Sequence, residues 1–539
     1  MAKRIVTIKK PLQSGASTGG LSLAGRLAYR LNHRRAISGV AALFLAFFFL
    51  VAPVCAAGTG IEPADAQLIL TLKRGVEMVM ENNLDVRIER SGPDIALARA
   101  RSASGIYNAE LYAEAKRADA RTPLSARSSA AAGGLTSTKS ETYSFSTGYK
   151  GKTSLGTSYT LDLKDDSSAD TFNRFNEQYT SFSGVTVTQP LLKDFGSDAN
   201  DQLINIARKD VEISLHAFKG SAIDVLSNYG LAYWELIRSR EEVRVRASNL
   251  ELSESLLEFA RKKLKAGAAS QLDVTRAEAA AAARRAALLT AGKALKDSER
   301  ALKLLITKDA YAIRDTEIVP IEAVSVVPVV ADLDESIRQA VEARPDYLEA
   351  RAQITKSGYK VRYAENQTYP RVDIESSYGY SGLGTTFGES VRGMDSNPQW
   401  MVGLVVRYPL GNDTANGDLS AARVESAQLL FRLKKIEQGI VLELDGAIKE
   451  LKDARERAAN AKVSVGLAGR TLKAEQEKYA AGLSTIYDVL RVQDELAQAQ
   501  LVELAAIVDY NEAVIKYNKV KGTLLDDWGV VVADGAEAR

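Results

Sequence analysis

Cysteine, histidine and aromatic residues are scarce in this chain, and each shortage removes a class of chemistry. The 539 residues include one cysteine, two histidines and 7% aromatics. A single thiol, Cys55, excludes an internal disulfide framework and a thiolate metal site. Of the histidines, His33 precedes the main apolar run and His216 falls in a long helical stretch, where a lone histidine is far more often a packing or surface residue than a base. No phosphate-binding glycine loop and no cluster with metal-ligand spacing is found, so no catalytic residue, metal or cofactor is expected. Nor are two carboxylates organised for a hydrolase; abundant Asp and Glu on coiled coils make a solvated face. After Val54 no apolar run approaches the roughly 20 residues of a membrane helix. If the processed chain meets a bilayer, it does so as a β-barrel.

What is present begins with a leader. Eight basic and no acidic residues (Lys3, Arg4, Lys9, Lys10, Arg26, Arg30, Arg34, Arg35) precede the apolar run Ala36–Val54 and the small residues Ala56, Ala57 and Gly58. This reads as a secretory signal over 1–57. An uncleaved anchor is the alternative, and Val54 before Cys55 argues against a lipoprotein. Cleavage would remove the only cysteine. It would also leave 62 of the 70 basic residues against 68 acidic ones, about −6, which gives no reason to expect nucleic acid as a partner. Few aromatics and abundant alanine favour long helices packed through small side chains.

The rest of the chain repeats itself. Gly267, Asp273, Val274 and Arg276 recur 215 positions later as Gly482, Asp488, Val489 and Arg491, without a gap. Gln189-Pro190-Leu191 answers Tyr408-Pro409-Leu410, and Asn83-Leu84-Asp85 answers Arg344-Pro345-Asp346. Two copies of one unit are expected, at 58–310 and 333–525, joined by a linker at 311–332 and followed by a tail at 526–539. Each unit runs helix, strand, strand, long helix, glycine turn, helix.

In the second unit Val372, Ile374, Ser376, Tyr378 and Tyr380 alternate with polar residues, as do Trp400, Val402, Leu404, Val406 and Tyr408. The first unit has Leu111, Ala113 and Ala115, then Val185 and Val187. A soluble sheet with one wet face shows the same alternation, whereas Tyr378, Tyr380, Trp400 and Tyr408 near strand ends suit an interfacial aromatic girdle. The first unit is longer by about 42 residues: a Ser/Ala/Gly-rich tract at 124–135 and a hairpin-like segment, Thr142–Tyr149 and Leu155–Leu163, around Lys150-Gly151-Lys152. Leu444, Ala447, Leu451, Ala454, Ala458, Ala461, Val465, Ala468 and Leu472 keep a four-three spacing, a coiled-coil seam. The stretches 198–266 and 418–480 lack proline and are each long enough for a helix on the order of 100 Å. Gly267 and Gly482 should end these helices as left-handed caps, with Ser270 and Ser484 starting the returning helices.

Taken together, the leader, the paired strands with aromatic ends, and the duplicated Tyr479-Ala480-Ala481-Gly482 with Asp488-Val489-Leu490 resemble the TolC-like outer-membrane efflux protein family. The echo at Gly267 and Asp273-Val274, the strand-ending Gln189-Pro190-Leu191-Leu192, and Ala232-Tyr233-Trp234-Glu235 carry the same resemblance, over about 65–525. It implies a mainly α fold with a membrane β-barrel: long antiparallel coiled-coil hairpins forming a periplasmic α-barrel, and about four strands per protomer closing a barrel across a homotrimer. It implies an outer-membrane exit duct for tripartite efflux or type I secretion. The expected partners are outer-membrane lipid, a periplasmic adaptor (membrane fusion) protein docking at Gly267, Gly482 and Leu483, and an inner-membrane pump of RND or ABC type. It also implies a periplasmic gate at Asp273, Tyr479 and Asp488, with Asp273 linked to Tyr479. Where the family places a second acidic residue this chain has Arg491, and an Asp488/Arg491 pair would neutralise itself on the helix surface. An exported coiled-coil rod with a small β domain, structural or adhesive, is the alternative from a different class.

Overall fold

The computed structural model describes residues 6–8, 67–171 and 176–532. The leader's apolar run and cleavage region lie outside them; of the leader only Val6–Ile8 is described, paired antiparallel with Val530–Val532. Two short helices, α1 (Leu72–Asn82) and α2 (Leu84–Ser104), lead into strand β1 (Glu110–Pro123). Strands β2 (Ser137–Lys152), β3 (Ser158–Asp170) and β4 (Gln178–Pro190) follow, then the 64-residue helix α3 (Gln202–Lys265) and its return, α4 (Gln271–Ile306). The order then recurs with α5 (Leu333–Ala343), α6 (Pro345–Gln367), β5 (Arg371–Gly384), β6 (Pro398–Arg407), the 68-residue α7 (Asp413–Ala480) and α8 (Ile486–Lys521).

β1 to β6 form one antiparallel meander in sequence order. The expectation of about four strands per protomer is corrected to six, because the inserted hairpin joins the sheet between β1 and β4. Its turn is also corrected. Gly151 lies inside β2, where a Cβ would sit 2.5 Å from the Tyr159 hydroxyl. The chain reverses at 153–157 around Gly156, at φ +93°, so Leu155 is a turn residue rather than a strand residue. Gly151 therefore permits close cross-strand packing, and Gly156 permits the turn.

The hydrophobic core sits midway along the helices, where Val79 and Met80 of α1 meet Phe218, Leu226 and Leu236 of α3, Leu302 of α4 and Val508 of α8. Gln67–Leu70 pairs in parallel with Glu317–Pro320 beside it. Two buried tyrosines fasten that layer to α3: Tyr233 donates to the Leu70 carbonyl at 2.9 Å and Tyr229 to the Leu72 carbonyl at 3.2 Å. Along α7 the seam residues Leu444, Leu451, Ala454, Ala458, Ala461 and Leu472 are buried, as their spacing predicts. Small residues there let helices approach closely and bury apolar area without large side chains.

A glycine in this core tests the packing. A Cβ at Gly75 would fall 1.7 Å from the fully buried Tyr229 hydroxyl. Alanine normally stabilises a helix interior by about 1 kcal/mol over glycine. Gly75→Ala is nonetheless expected to lower the thermal unfolding midpoint, by overpacking of roughly 1–3 kcal/mol. Gly292→Ala, with nothing within 4 Å, should leave it unchanged or raise it.

Candidate functional site

The candidate site is the end of the two hairpins farthest from the sheet. α3 stops because Gly267 takes φ +74°, a left-handed conformation; its N–H donates to the Leu264 carbonyl and that of Ala268 to Lys263. The second tip repeats this at φ +79°, with Gly482 donating to Tyr479 and Leu483 to Lys478. Both are Schellman caps, in which glycine avoids the strain of a side chain at positive φ. Leu483 is 79% exposed.

The returning helices start differently. Ser270 and Asp273 form a reciprocal capping box: the Asp273 N–H donates to Ser270 Oγ at 3.2 Å, and the Ser270 N–H to Asp273 Oδ2 at 3.0 Å. These bonds, with the Ser270 hydroxyl foremost, hold the Asp273 carboxyl below the usual aspartate range. At the second tip the cap is Thr485, not Ser484 as expected. Thr485 Oγ1 accepts from the Asp488 N–H at 3.3 Å and donates to Asp488 Oδ2 at 2.6 Å. The Ser484 hydroxyl is drawn back instead to Glu475 on α7.

Two further expectations are corrected. No hydrogen bond joins Asp273 to Tyr479 among the described residues, because the Asp273 carboxylate is engaged by Ser270. The two groups still interact through space: burial first, then Asp273, pushes the Tyr479 hydroxyl up. Arg491 does not neutralise Asp488; it pairs with Glu495 at 2.6 Å, one turn on, where i,i+4 geometry is favourable.

The hairpins are instead joined by residues outside those expectations. Lys263 Nζ donates to the Tyr479 carbonyl at 2.7 Å and lies 4.2 Å from the Tyr479 ring centroid. Phe259 meets that ring edge-on at 5.8 Å. That carbonyl therefore accepts both the Gly482 N–H closing one tip and the ammonium of the other hairpin. Around it Leu256, Ala260, Val274 and Ala277 of the first hairpin pack on Tyr479, Ile486, Val489 and Leu490 of the second.

Farther from the tips Arg284 of α4, only 7% exposed, reaches into α8. It donates to Gln493 Oε1 at 2.7 Å, to Asp494 Oδ1 at 2.9 Å and to the Leu490 carbonyl at 3.2 Å. A guanidinium presents five N–H donors in a rigid planar fork, so these three acceptors are held in one fixed geometry, unlike around the freely rotating ammonium of a lysine. The signal in the sequence was positional: Val274, Ala277, Ala281, Arg284 and Ala291 are the buried side of α4, so an arginine occupies a seam position. Beside this latch a groove of about 960 Å³ is lined by Arg276, Tyr487, Leu490, Arg491 and Asp494.

At the other end of the molecule, Tyr378, Tyr380 and Trp400 lie toward the loop joining β5 and β6, and Tyr408 just beyond the opposite end of β6. All four are exposed. Trp400 faces Tyr378 in register, and the Tyr378 and Tyr380 hydroxyls are 2.9 Å apart. No helix among the described residues is long and apolar enough to cross a membrane.

Two long helical hairpins thus continue from a six-stranded sheet, one face of which carries exposed apolar side chains. The sequence model of the outer membrane efflux protein family matches residues 124–307 and again 336–522, and the chain belongs to that family. It is 22% identical to nodulation protein T of Rhizobium leguminosarum bv. trifolii over 328 residues, covering 59% of this chain and 67% of that protein. It is also 22% identical to the outer membrane efflux protein BepC of Brucella suis biovar 1 over 360 residues, covering 66% and 73%. Its fold matches the solved outer-membrane channel OprN with a TM-score of 0.63 at 15% identity, over 84% of this chain and 89% of that one. The protein is thus an outer membrane efflux protein, a transport protein and not an enzyme.

The first tip has a pH signature. Because the folded state depresses the Asp273 pKa, the stability its cap contributes is present above the unfolded pKa and lost as pH falls through the lower folded one. Amide exchange in the first turn of α4, corrected for intrinsic rates, should lose protection only below the ordinary aspartate range. Asp273→Ala should lose it at neutral pH, by about fivefold for a cap of ~1 kcal/mol.

Proposed function

We propose that three copies of this chain close into one tunnel, a β-barrel in the outer membrane continued by a helical tube in the periplasm and gated at the hairpin tips. The observation that carries this reading is that the edges of the sheet and of the helical layer coincide. The open edge strands are β1 and β6. β1 directly follows α2, and β6 directly precedes α7, and these are the two outer helices of the layer beside the sheet: α2 packs on α3, α3 on α6, and α6 on α7. Each outer helix carries an exposed apolar stripe, Leu84, Ile88 and Ile95 on α2 and Val424, Phe431 and Leu442 on α7. At 100° per residue each triplet falls on one helix face. A neighbouring copy presenting its β1 and α2 to β6 and α7 would satisfy backbone and stripes together. Three is the count the family resemblance implies.

In this reading the signal over 1–57 directs export, and the units 58–310 and 333–525 supply one hairpin each. Gly267, Gly482 and Leu483 are the surface offered to a periplasmic adaptor, which links the duct to an inner-membrane pump of RND or ABC type. Asp273, Tyr479, Asp488 and Arg491 stand at the gate, with Lys263 and Arg284 holding the hairpins together. Tyr378, Tyr380, Trp400 and Tyr408 form the aromatic girdle. The pump selects the cargo and supplies the energy, and this chain is the conduit.

Single-channel recording in planar bilayers tests this. The wild-type protein should insert with small discrete steps. Arg284→Ala strands the Gln493 carbonyl and breaks the latch, a loss of about 1–3 kcal/mol, and should raise open-state occupancy several-fold. Arg285→Ala is the control, since Arg285 pairs with Glu254 inside its own hairpin. Folded protein that never inserts would favour the exported rod. Equal effects of the two substitutions would remove Arg284 from the gate.

A further inference from the structure

We propose that the inserted hairpin Ser137–Asp170 is part of the membrane wall. Each copy then contributes six strands to the ring, which closes with eighteen strands across three copies. The inference rests on the trimeric outer-membrane reading above and adds what the insertion does within it.

Three observations carry it. The first is register. β2 is bonded to β1 from Glu110↔Lys150 to Pro123↔Ser137, and β3 is bonded to β2 from Lys152↔Ser158 to Ser140↔Asp170. β3 in turn pairs with β4 from Ser158↔Thr188 to Ser168↔Gln178. The hairpin is thus held along its length on both sides and does not peel away as a flap. Without it, β1 and β4 would have no partner between them.

The second is height. The turn at 153–157 returns to the base of the sheet, where the chain enters α3. The Gly196 N–H donates to the Leu155 carbonyl at 3.1 Å, and Gly156 fits against Pro190 and the Asp194 carbonyl so closely that a Cβ would fall 2.3 Å from that oxygen. The inserted strands therefore start level with the end of β4 and run beside the others.

The third is the alternation of faces, which register carries across all six strands. Leu111, Tyr149, Leu161, Val185, Tyr378 and Trp400 follow one another across the sheet as direct cross-strand partners, and all are exposed on one face. Within the hairpin Tyr143, Phe145 and Leu163 share that face, on which the Asp165 carboxylate opposite Phe145 accepts from the Ser181 hydroxyl, while Ser144, Ser146, Asp162, Lys164 and Asp166 take the other. A water-exposed flap has no reason to place its large apolar side chains in line with those of the flanking strands. A wall strand must, because lipid covers one face and water the other. The occupant of the apolar face is outer-membrane acyl chain, and the charged face lines the lumen. Since barrel diameter grows with strand number, eighteen strands give a lumen of porin class, wider than a ring of twelve.

The test uses the scarcity of cysteine. In a Cys55→Ser background, single cysteines are placed at Phe145 and Leu163 on the apolar face, at Ser146 and Lys164 on the polar face, and at Val402 in β6 as a control. Each is labelled with an environment-sensitive fluorophore and reconstituted into vesicles containing brominated phospholipid. Phe145→Cys and Leu163→Cys should be quenched as strongly as Val402→Cys. Ser146→Cys and Lys164→Cys should escape quenching and react with a charged maleimide. Quenching at Val402→Cys without quenching at the two hairpin sites would overturn the inference while leaving the channel intact. Absence of quenching at Val402→Cys would overturn the outer-membrane wall itself. A detergent-released oligomer of other than three copies would overturn the count of eighteen.

Discussion

A lipid bilayer offers no hydrogen-bonding partner to a peptide group, so a sheet that enters it must leave no strand edge unpaired. Among the described residues that condition is unmet at two places, the outer edges of β1 and β6. The rest of the architecture is arranged around those edges. The meander runs in sequence order, so its first and last strands are adjacent in the chain to α2 and α7. Those helices carry apolar stripes that are exposed among the described residues. One neighbour placed at one edge meets both needs. In the proposed trimer, closure of the barrel and closure of the helical tube are a single event.

The far end of the molecule is governed by a different balance. Each hairpin tip is locally complete, with a glycine cap ending one helix and a Ser/Asp or Thr/Asp cap starting the next. What joins the tips is a modest set of contacts: Lys263 on the Tyr479 carbonyl and ring, a small apolar cluster, and the Arg284 fork. Locally capped tips joined by a few separable bonds suit the gate proposed above. The core around Phe218, Leu226 and Met80 is the opposite, buried and continuous, and fixes α3 midway along its length.

Much of this was legible in the sequence because helix and strand periods are local. The coiled-coil spacing from Leu444 to Leu472, the left-handed glycines at 267 and 482, the cap at Ser270 and the strand alternation in 371–380 and 400–406 each depend on residues a few positions apart. What was not legible depended on distant partners. Gly151 reads as a turn residue until Tyr159 is known to lie against it. Asp273 reads as free to reach Tyr479, yet Ser270 is nearer and takes the carboxylate first. Arg491 has acidic neighbours on both sides, at 488 and 495, and helix geometry favours the latter. Arg284 stands beside Arg285 in an alanine-rich run, and only the phase of the helix distinguishes the buried one from the exposed one. The strand count was missed for the same reason: the hairpin at 142–163 is legible from its own alternation, but its place in the sheet depends on partners in β1 and β4.

The central claim is that the open edges of one copy are closed by the next. Electron cryomicroscopy of the purified protein in lipid nanodiscs addresses it most directly. The account predicts a threefold particle in which β6 of each copy lies beside β1 of its neighbour and α7 beside the neighbour's α2, with strands and helices enclosing one continuous lumen. Particles of a single chain with a free sheet edge, or a helical bundle with no lumen, would contradict it.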